Sequence, residues 1–150
     1  MRSIIIYESV HHNNTEKIAK VIAGEIGAEL VNVRNFADSH KNLDEYDLVG
    51  FGSGIYYSKI HKNIKKFVET VEHMDNQKTF IFTTSGRGKK SFHKKFKELL
   101  DSKGFDLIDE FTCKGFDTFG PFKIVGGINK GQPNEKDLAN AKNFAKALLE

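Results

Sequence analysis

The stretch "IIIYESVHHNNTEKIA", residues 4–19, joins an apolar run to a helical pattern through a polar loop. Its first four residues are uncharged and mostly β-branched, which predicts a buried strand. Apolar residues from Ile18 onward recur every four positions, which predicts a helix. The first turn of a helix carries backbone N–H groups without intrahelical partners, and the helix dipole adds positive potential there. We therefore expect the loop at residues 8–14 to hold an anion.

The rest of the chain alternates the same two kinds of segment. Strands are predicted at residues 3–7, 29–34, 46–52, 78–84 and 105–113, and helices at residues 14–27, 61–73, 89–103 and 134–149. Such alternation, with right-handed crossovers, gives a doubly wound parallel sheet with helices on both faces. Five strands in 150 residues favour the strand order 2-1-3-4-5. We predict one α/β domain over residues 1–150, with the last helix capped by Asn134 and Asp137.

Composition narrows the functional classes. The net charge of +3 is far from the excess that is typical of nucleic-acid-binding proteins. No apolar run approaches the 18 or more residues of a membrane span, and no signal-peptide pattern follows Arg2. Cys113 is the single cysteine, which excludes an internal disulfide and fits a reducing compartment. We expect a cytoplasmic protein with no nucleic-acid or membrane partner and with Cys113 buried.

Two further loops are expected beside the first, because ligands bind such sheets beyond the carboxyl ends of the strands. The second loop, residues 52–60, lies in "FGSGIYYSKIHKN", where two glycines predict a tight turn followed by tyrosines. The third, residues 83–90, lies in "TTSGRGKK" and offers hydroxyls and glycine backbone groups. A long glycine-rich segment with three phenylalanines, residues 115–133, is expected to be structured and to cover a ligand.

Other phosphate-binding families do not fit the first loop. It contains no glycine, so it matches neither the Walker pattern nor the dinucleotide fingerprint G-x-G-x-x-G. A receiver domain of a response regulator needs several acidic residues at this strand tip to hold magnesium, and only Glu8 is present. A low-molecular-weight phosphatase needs a cysteine in this loop, whereas Cys113 lies far along the chain.

The same stretch resembles the FMN-phosphate loop of the flavodoxin family, in which an aromatic residue precedes a Ser/Thr/Asn-rich turn ending in T-x-x-x-A. Here the aromatic residue is Tyr7, the turn begins at Ser9, and the closing motif runs from Thr15 to Ala19. The turn is one residue longer than the usual spacing and carries histidine and asparagine where relatives have a small residue. The resemblance covers essentially the whole chain and implies FMN as the cofactor.

The resemblance also implies which residues hold FMN. The first loop would take the phosphate, a tyrosine after the third strand would stack on the isoalloxazine ring, and the third loop would face the polar edge of the pyrimidine ring. We favour Tyr56 for the stacking residue. The expected contacts are Ser9, His11, His12, Asn13, Asn14, Thr15, Ser53, Gly54, Ile55, Tyr56, Tyr57, Thr84, Ser85, Gly86, Arg87, Gly88 and Phe119. No catalytic or metal-binding residue is predicted, and the remaining histidines are expected to be solvated: His40, His61, His73 and His93.

The expected function is electron transfer between redox partner proteins, and a carrier is favoured over an autonomous oxidoreductase. Two alternatives stay open: an FMN-dependent reductase of a quinone or small molecule, and a flavin-free phosphate-binding or interaction module. Arg87, Lys89 and Lys90 adjoin the expected pyrimidine edge. Their charge predicts a less negative hydroquinone potential than in an acidic flavodoxin, and an acidic partner. The oligomeric state is not predicted.

Overall fold

The computed structural model describes residues 1–10, 13–36, 42–115 and 127–150. Within these ranges, the strands are β1 (Ser3–Glu8), β2 (Glu29–Asn32), β3 (Leu48–Tyr56), β4 (Lys59–Ile60), β5 (Gln77–Ser85) and β6 (Phe105–Lys114). The α-helices are α1 (Asn14–Ile26), α2 (Lys62–Thr70), α3 (Lys94–Ser102) and α4 (Glu135–Leu148). Short 3-10 helices occupy Val33–Asn35, Leu43–Glu45 and Lys90–His93. No helix in the described ranges is long and apolar enough to cross a membrane.

Five of these strands form a parallel sheet in the order β2-β1-β3-β5-β6. The two-residue β4 pairs only with β3, in the antiparallel sense. With β4 set aside, the order is the predicted 2-1-3-4-5, so the predicted fold class is confirmed. The winding reverses between β1 and β3, and a crevice for a ligand is expected at that point of the sheet's carboxyl edge.

The core lies on both faces of the sheet. All six residues of β1 are buried, as a central strand of a parallel sheet requires. One face packs against α1 and α4 through a cluster that includes Ile5 and Ile18. The other face packs against α2 and α3 through a cluster that includes Ile4 and Ile64. Helices therefore cover both faces and leave the carboxyl edge of the sheet to the loops.

Two glycines of β3 make room for phenylalanine rings of β5. A Cβ atom on Gly50 would lie 2.2 Å from Cζ of Phe80, and one on Gly52 would lie 2.1 Å from Cζ of Phe82. Real Cβ atoms do not approach other atoms so closely, so the rings occupy the space that a side chain would need. The expectation that Gly52 belongs to a tight turn is therefore wrong, because it lies inside a strand and its absent side chain serves packing.

The last helix begins as predicted. Asn134 Oδ1 accepts a hydrogen bond from the Asp137 N–H at 3.0 Å, and the Asp137 carboxylate accepts one from the Asn134 N–H at 2.9 Å. This reciprocal pair is a capping box, which satisfies two backbone donors at the helix start. Cys113 is buried, also as predicted, and burial, with the nearby Asp137 charge, raises the pKa of its thiol to about 12.

Candidate functional site

The first loop leads into α1 through a left-handed residue and a serine cap. Asn13 precedes the helix with φ 54°, and its side chain makes no capping bond. Ser9 Oγ instead accepts the N–H of Glu16 at 3.1 Å. A hydroxyl that accepts a bond keeps its own hydrogen for a second acceptor. The start of α1 thus offers a hydroxyl donor beside the outward-pointing amides of a first helical turn. His11 and His12 lie outside the described residues.

A buried hydrogen bond joins the first loop to the third. Thr15 Oγ1 lies 2.8 Å from Thr84 Oγ1, and the two residues are 2% and 4% exposed. Thr15 belongs to the first turn of α1, whereas Thr84 is next to last in β5. The bond fixes the N-terminal end of α1 against the carboxyl end of β5, so the predicted first and third loops do come together.

The second loop is a two-residue hairpin. β3 continues to Tyr56, which pairs with Lys59 of β4. The intervening residues Tyr57 and Ser58 have φ values of 51° and 62°, as a type I′ turn requires. The chain therefore reverses four residues beyond the predicted end of the strand, and Tyr57 lies at the tip with 82% of its surface exposed.

The two tyrosines of the hairpin have different environments. Tyr56 folds over Gly54, where an added Cβ would lie 2.8 Å from its hydroxyl, and its ring meets His61 edge-on at 5.1 Å between centroids. It is half-buried, as expected for one of two neighbouring aromatic residues in an extended chain. The choice of Tyr56 as the stacking residue stays a prediction, and Tyr57 presents the more exposed ring.

Ser53 and His61 anchor the hairpin to α2. Ser53 is 1% exposed, and its Oγ accepts the N–H of His61 at 2.9 Å and donates to the carbonyl of Gly54. His61 Nδ1 in turn accepts the N–H of Asn63 at 2.9 Å and caps α2. The Ser53 hydroxyl is therefore committed to the fold, and His61 is a half-buried cap where a solvated side chain was expected. Ile55, which follows Gly54 in β3, packs against the core.

The third loop closes on itself and on the end of β6. Ser85 Oγ accepts the N–H of Gly88 at 2.7 Å, and Gly88 has φ 59°, which glycine adopts without strain. The carbonyl of Ser85 accepts the N–H of Gly115 at 3.0 Å. Arg87 is exposed at the tip. The loop therefore presents backbone groups and three exposed cations, Arg87, Lys89 and Lys90, at the carboxyl edge of the sheet.

Asn129 anchors this loop from far along the chain. Its Nδ2 donates to the carbonyl of Gly86 at 2.8 Å and, at 3.3 Å, to that of Gly115. Gly115 also packs tightly on the first loop, since a Cβ there would lie 2.5 Å from Nδ2 of Asn14. Asn129 was not predicted; the signal in the sequence is an asparagine in a glycine-rich turn, which tolerates its φ of 58°. Phe119 lies outside the described residues.

His93 is the clearest error of the sequence-based prediction, because it is fully buried rather than solvated. Its Nε2 lies 2.6 Å from Thr83 Oγ1, and its Nδ1 lies 3.5 Å from Oε1 of Glu110. Lys97 Nζ lies 2.5 Å from the other oxygen of Glu110. Burial lowers the pKa of His93, and the Glu110 carboxylate opposes this. His93 shares the spacing i, i+3 with Phe96 on the buried face, and this signal could have revealed it. His73, in contrast, is exposed as predicted, and His40 lies outside the described residues.

Glu8 is a second buried charge near the carboxyl edge of the sheet. It is 0% exposed at the end of β1, and its Oε1 forms an ion pair with Arg34, whose side chain is 58% exposed. Oε2 of Glu8 has no hydrogen-bond partner among the described residues. In register, Glu8 neighbours Ser53 of β3. A polar layer therefore underlies the loops on the α2 and α3 side.

Comparison with known proteins adds the family context. A family model described as a flavodoxin domain matches residues 4–115. An uncharacterised protein of Methanocaldococcus jannaschii is 49% identical over 151 residues and aligns over 99% of each chain. A flavodoxin of Haemophilus influenzae is 36% identical over 64 residues, which are 41% of this chain and 37% of that protein. The solved structure of a flavodoxin from the domain Archaea matches with a TM-score of 0.69 at 17% identity, over 97% of this chain and 94% of that one.

Proposed function

Because the chain belongs to the flavodoxin family, we propose that it binds FMN beyond the carboxyl ends of β1, β3 and β5 and transfers electrons between redox proteins. The observation that carries the proposal is the convergence of three loops at the point where the winding of the sheet reverses. The hydrogen bond between Thr15 and Thr84 holds two of these loops together. FMN, when bound, would supply the electron-transfer chemistry, and the chain would position it and shape its surroundings.

The donors of the first loop fit a phosphate group. The first turn of α1 offers backbone amides and the positive end of a helix dipole. Ser9 Oγ already accepts the N–H of Glu16, so its hydroxyl hydrogen is directed elsewhere and suits an anion. Asn13 and Asn14 add amide groups at the same turn. These donors are neutral, and the helix dipole supplies the electrostatic attraction.

The other two loops fit the two parts of a flavin ring. Tyr57 offers an exposed aromatic face at the tip of the β3–β4 hairpin. The backbone of residues 84–88 offers N–H and C=O groups for the polar edge of the ring, and contacts with Ser85, Gly115 and Asn129 hold this backbone in place. The apolar and polar requirements of the ring are thus met on separate elements.

An FMN titration with riboflavin as the control tests the proposal. We expect FMN to bind with strong quenching of its fluorescence and riboflavin to bind more weakly, because riboflavin lacks the phosphate. Replacing the Ser9 hydroxyl, Ser9→Ala, is expected to weaken FMN binding by roughly ten- to a hundredfold, the value of a hydrogen bond to a charged group, and to leave riboflavin binding unchanged. Failure of the wild-type chain to bind either flavin would refute the proposal and favour a flavin-free module.

The proposal of a carrier is separated from that of a reductase by one addition to the same cuvette. A carrier needs a partner enzyme to receive electrons, so reduced pyridine nucleotide alone is expected to leave the flavin absorbance intact. Bleaching of the flavin by NADH or NADPH without a partner would instead support direct reduction and a small-molecule or quinone reductase.

We further propose an acidic redox partner, since the cations concentrate around the second and third loops. Residues 51–66 and 83–97 contain 10 of the 23 Lys and Arg residues and none of the 20 Asp and Glu residues. The two segments are adjacent, because β4 packs beside the 3-10 helix Lys90–His93. Complementary charge would steer an acidic protein toward the proposed flavin edge.

A further inference from the structure

We propose that His93 is a positioning residue for the flavin-binding loop: its imidazole ties the start of α3 to β5 and thereby fixes residues 84–88 in the form that takes the ring. This inference rests on the proposed function for its consequence in binding. Its structural part rests on contacts within the chain alone, so the two parts can fail separately.

The hydrogen-bond directions identify the imidazole nitrogen that acts. Thr83 Oγ1 donates to Thr112 Oγ1 at 3.0 Å, which uses the only hydrogen of the Thr83 hydroxyl. His93 Nε2, 2.6 Å from the same Thr83 oxygen, must then be the donor. The neutral ring therefore carries its hydrogen on Nε2, and its Nδ1 faces Glu110.

The bond between His93 and Thr83 lies where it can restrict the conformation of the loop. Thr83 belongs to β5, directly before Thr84, and His93 ends the 3-10 helix Lys90–His93 that follows the loop. The bond therefore joins the two ends of the segment formed by residues 84–92. A tie between the ends of a loop reduces the number of conformations that the loop can adopt. Other contacts fix the loop at Thr84, Ser85 and Gly86, whereas the bond from His93 fixes its return to the helix.

Charged groups surround the second nitrogen of His93. Its Nδ1 lies 3.5 Å from Oε1 of Glu110 in β6, and the carboxylate also pairs with Lys97 of α3 at 2.5 Å. Lys90 contributes a further positive charge from the 3-10 helix, which disfavours a charged imidazole. Nδ1 carries no hydrogen in this tautomer and makes no hydrogen bond among the described residues, so the bond from Nε2 to Thr83 is the contact that orients the ring.

Two substitutions test the hydrogen bond from Nε2 of His93. In His93→Gln the side-chain amide reaches the position of Nε2 and keeps a donor for Thr83. In His93→Asn the shorter amide reaches only the position of Nδ1 and loses that bond. His73→Gln is the matched control, because His73 is exposed and lies before β5, at the opposite end of that strand from the loop.

The first measurement is amide hydrogen exchange in the flavin-free protein. We expect His93→Asn to speed exchange selectively in residues 84–92, with the control strand β2 unchanged, and we expect His93→Gln and His73→Gln to match the wild type. Unchanged exchange in His93→Asn, or equal loss of protection in the Asn and Gln variants, would overturn the proposal.

The second measurement is the affinity of each variant for FMN and for riboflavin. We expect His93→Asn to weaken both about tenfold, the value of one hydrogen bond, and to leave their ratio unchanged because the phosphate loop is untouched. His93→Gln is expected to stay within about twofold of the wild type. A changed ratio would indicate general damage and would also overturn the proposal. If the wild-type chain binds neither flavin, the proposed function fails, and the exchange experiment still decides the structural role of His93.

Discussion

At the scale of one residue, the environment of His93 sets its charge. The imidazole has no solvent exposure, and burial is the largest of the effects that lower its pKa. The charged groups that face it are Glu110 from β6, Lys97 from α3 and Lys90 from the 3-10 helix. The carboxylate favours the protonated ring and the two lysines disfavour it. His93 is therefore neutral in the folded protein at neutral pH.

This neutral state predicts a loss of stability on mild acidification. An unfolded histidine has a pKa of about 6.5, and that of folded His93 lies lower, so between the two values only the unfolded chain binds the proton. The stabilising contribution is thus complete above the unfolded pKa and falls, by at most about 1.4 kcal/mol per pH unit, as the pH drops toward the folded pKa. Chemical unfolding at pH 7.5 and 5.5 measures this change. His93→Gln, which cannot titrate, is expected to lose less stability over this interval, and an equal loss in both proteins would contradict the assignment.

At the scale of elements, glycines of β3 pack against phenylalanine rings of the neighbouring strand β5. Gly50 and Gly52 leave space that Phe80 and Phe82 occupy. The two rings stack with centroids 6.2 Å apart and belong to the core beneath α1 and α4. Glycine weakens an isolated strand, but here it permits two large apolar side chains to be buried completely.

A pair of glycine substitutions tests this packing. Gly52→Ala would place a methyl group 2.1 Å from Cζ of Phe82, so either the ring or the strand must shift, and we expect a loss of about 1–3 kcal/mol of unfolding free energy. Gly24→Ala in α1 is the control: no atom lies within 4 Å of the new Cβ, and alanine favours a helix by about 0.5–1 kcal/mol. Thermal or chemical unfolding should therefore show changes of opposite sign, and stabilisation by Gly52→Ala would refute the packing argument.

The sequence predicted the sheet well because its strands are short apolar runs separated by amphipathic helices. The sequence-based prediction missed the hairpin, because type I′ turns usually contain Asn-Gly or Gly-Gly, whereas this turn contains Tyr57 and Ser58. It also predicted one helix over residues 89–103, where the structure has a 3-10 helix followed by α3. Contacts between distant segments, such as that of Asn129 with Gly86, leave no periodic pattern to read.

At the scale of the whole molecule, charge is divided unevenly. The two basic segments, residues 51–66 and 83–97, have no acidic residue, so the remaining 13 basic and 20 acidic residues give the rest of the chain a net charge of −7. A modest overall charge of +3 thus conceals a strong asymmetry. Such an asymmetry orients a charged partner before contact and depends on ionic strength.

Charge reversal in the basic segment at residues 83–97 should change the rate of electron transfer to small acceptors, in opposite directions for anionic and cationic acceptors. If the chain binds FMN as proposed, we expect Lys89→Glu with Lys90→Glu to slow oxidation of the reduced protein by anionic ferricyanide about tenfold and to speed its oxidation by a cationic cobalt complex. The control is Lys136→Glu with Lys146→Glu, an equal charge change on exposed positions of α4. Stopped-flow rates at low and high salt measure both effects. Equal effects of the two double substitutions would contradict electrostatic steering by the basic segment at residues 83–97.

The same substitutions bear on the reduction potential. Positive charge near a flavin stabilises its negatively charged reduced form, so removal of Lys89 and Lys90 is expected to make the potential more negative. A spectroelectrochemical titration of the two double variants measures this, and a shift of similar size in the α4 control would assign it to net charge.

Asn129 bonds to the third loop from a position 43 residues beyond Gly86. This separation along the chain determines when the bond can form during synthesis on the ribosome. β1, β3, β5 and the loop itself are all translated before Asn129 exists. A nascent chain therefore carries the loop without this bond until the strands of the sheet and helices α1–α3 have been synthesised. Domains complete their folding as units. If the chain binds FMN as proposed, we expect the third loop to take its final form only after Asn129 has been synthesised.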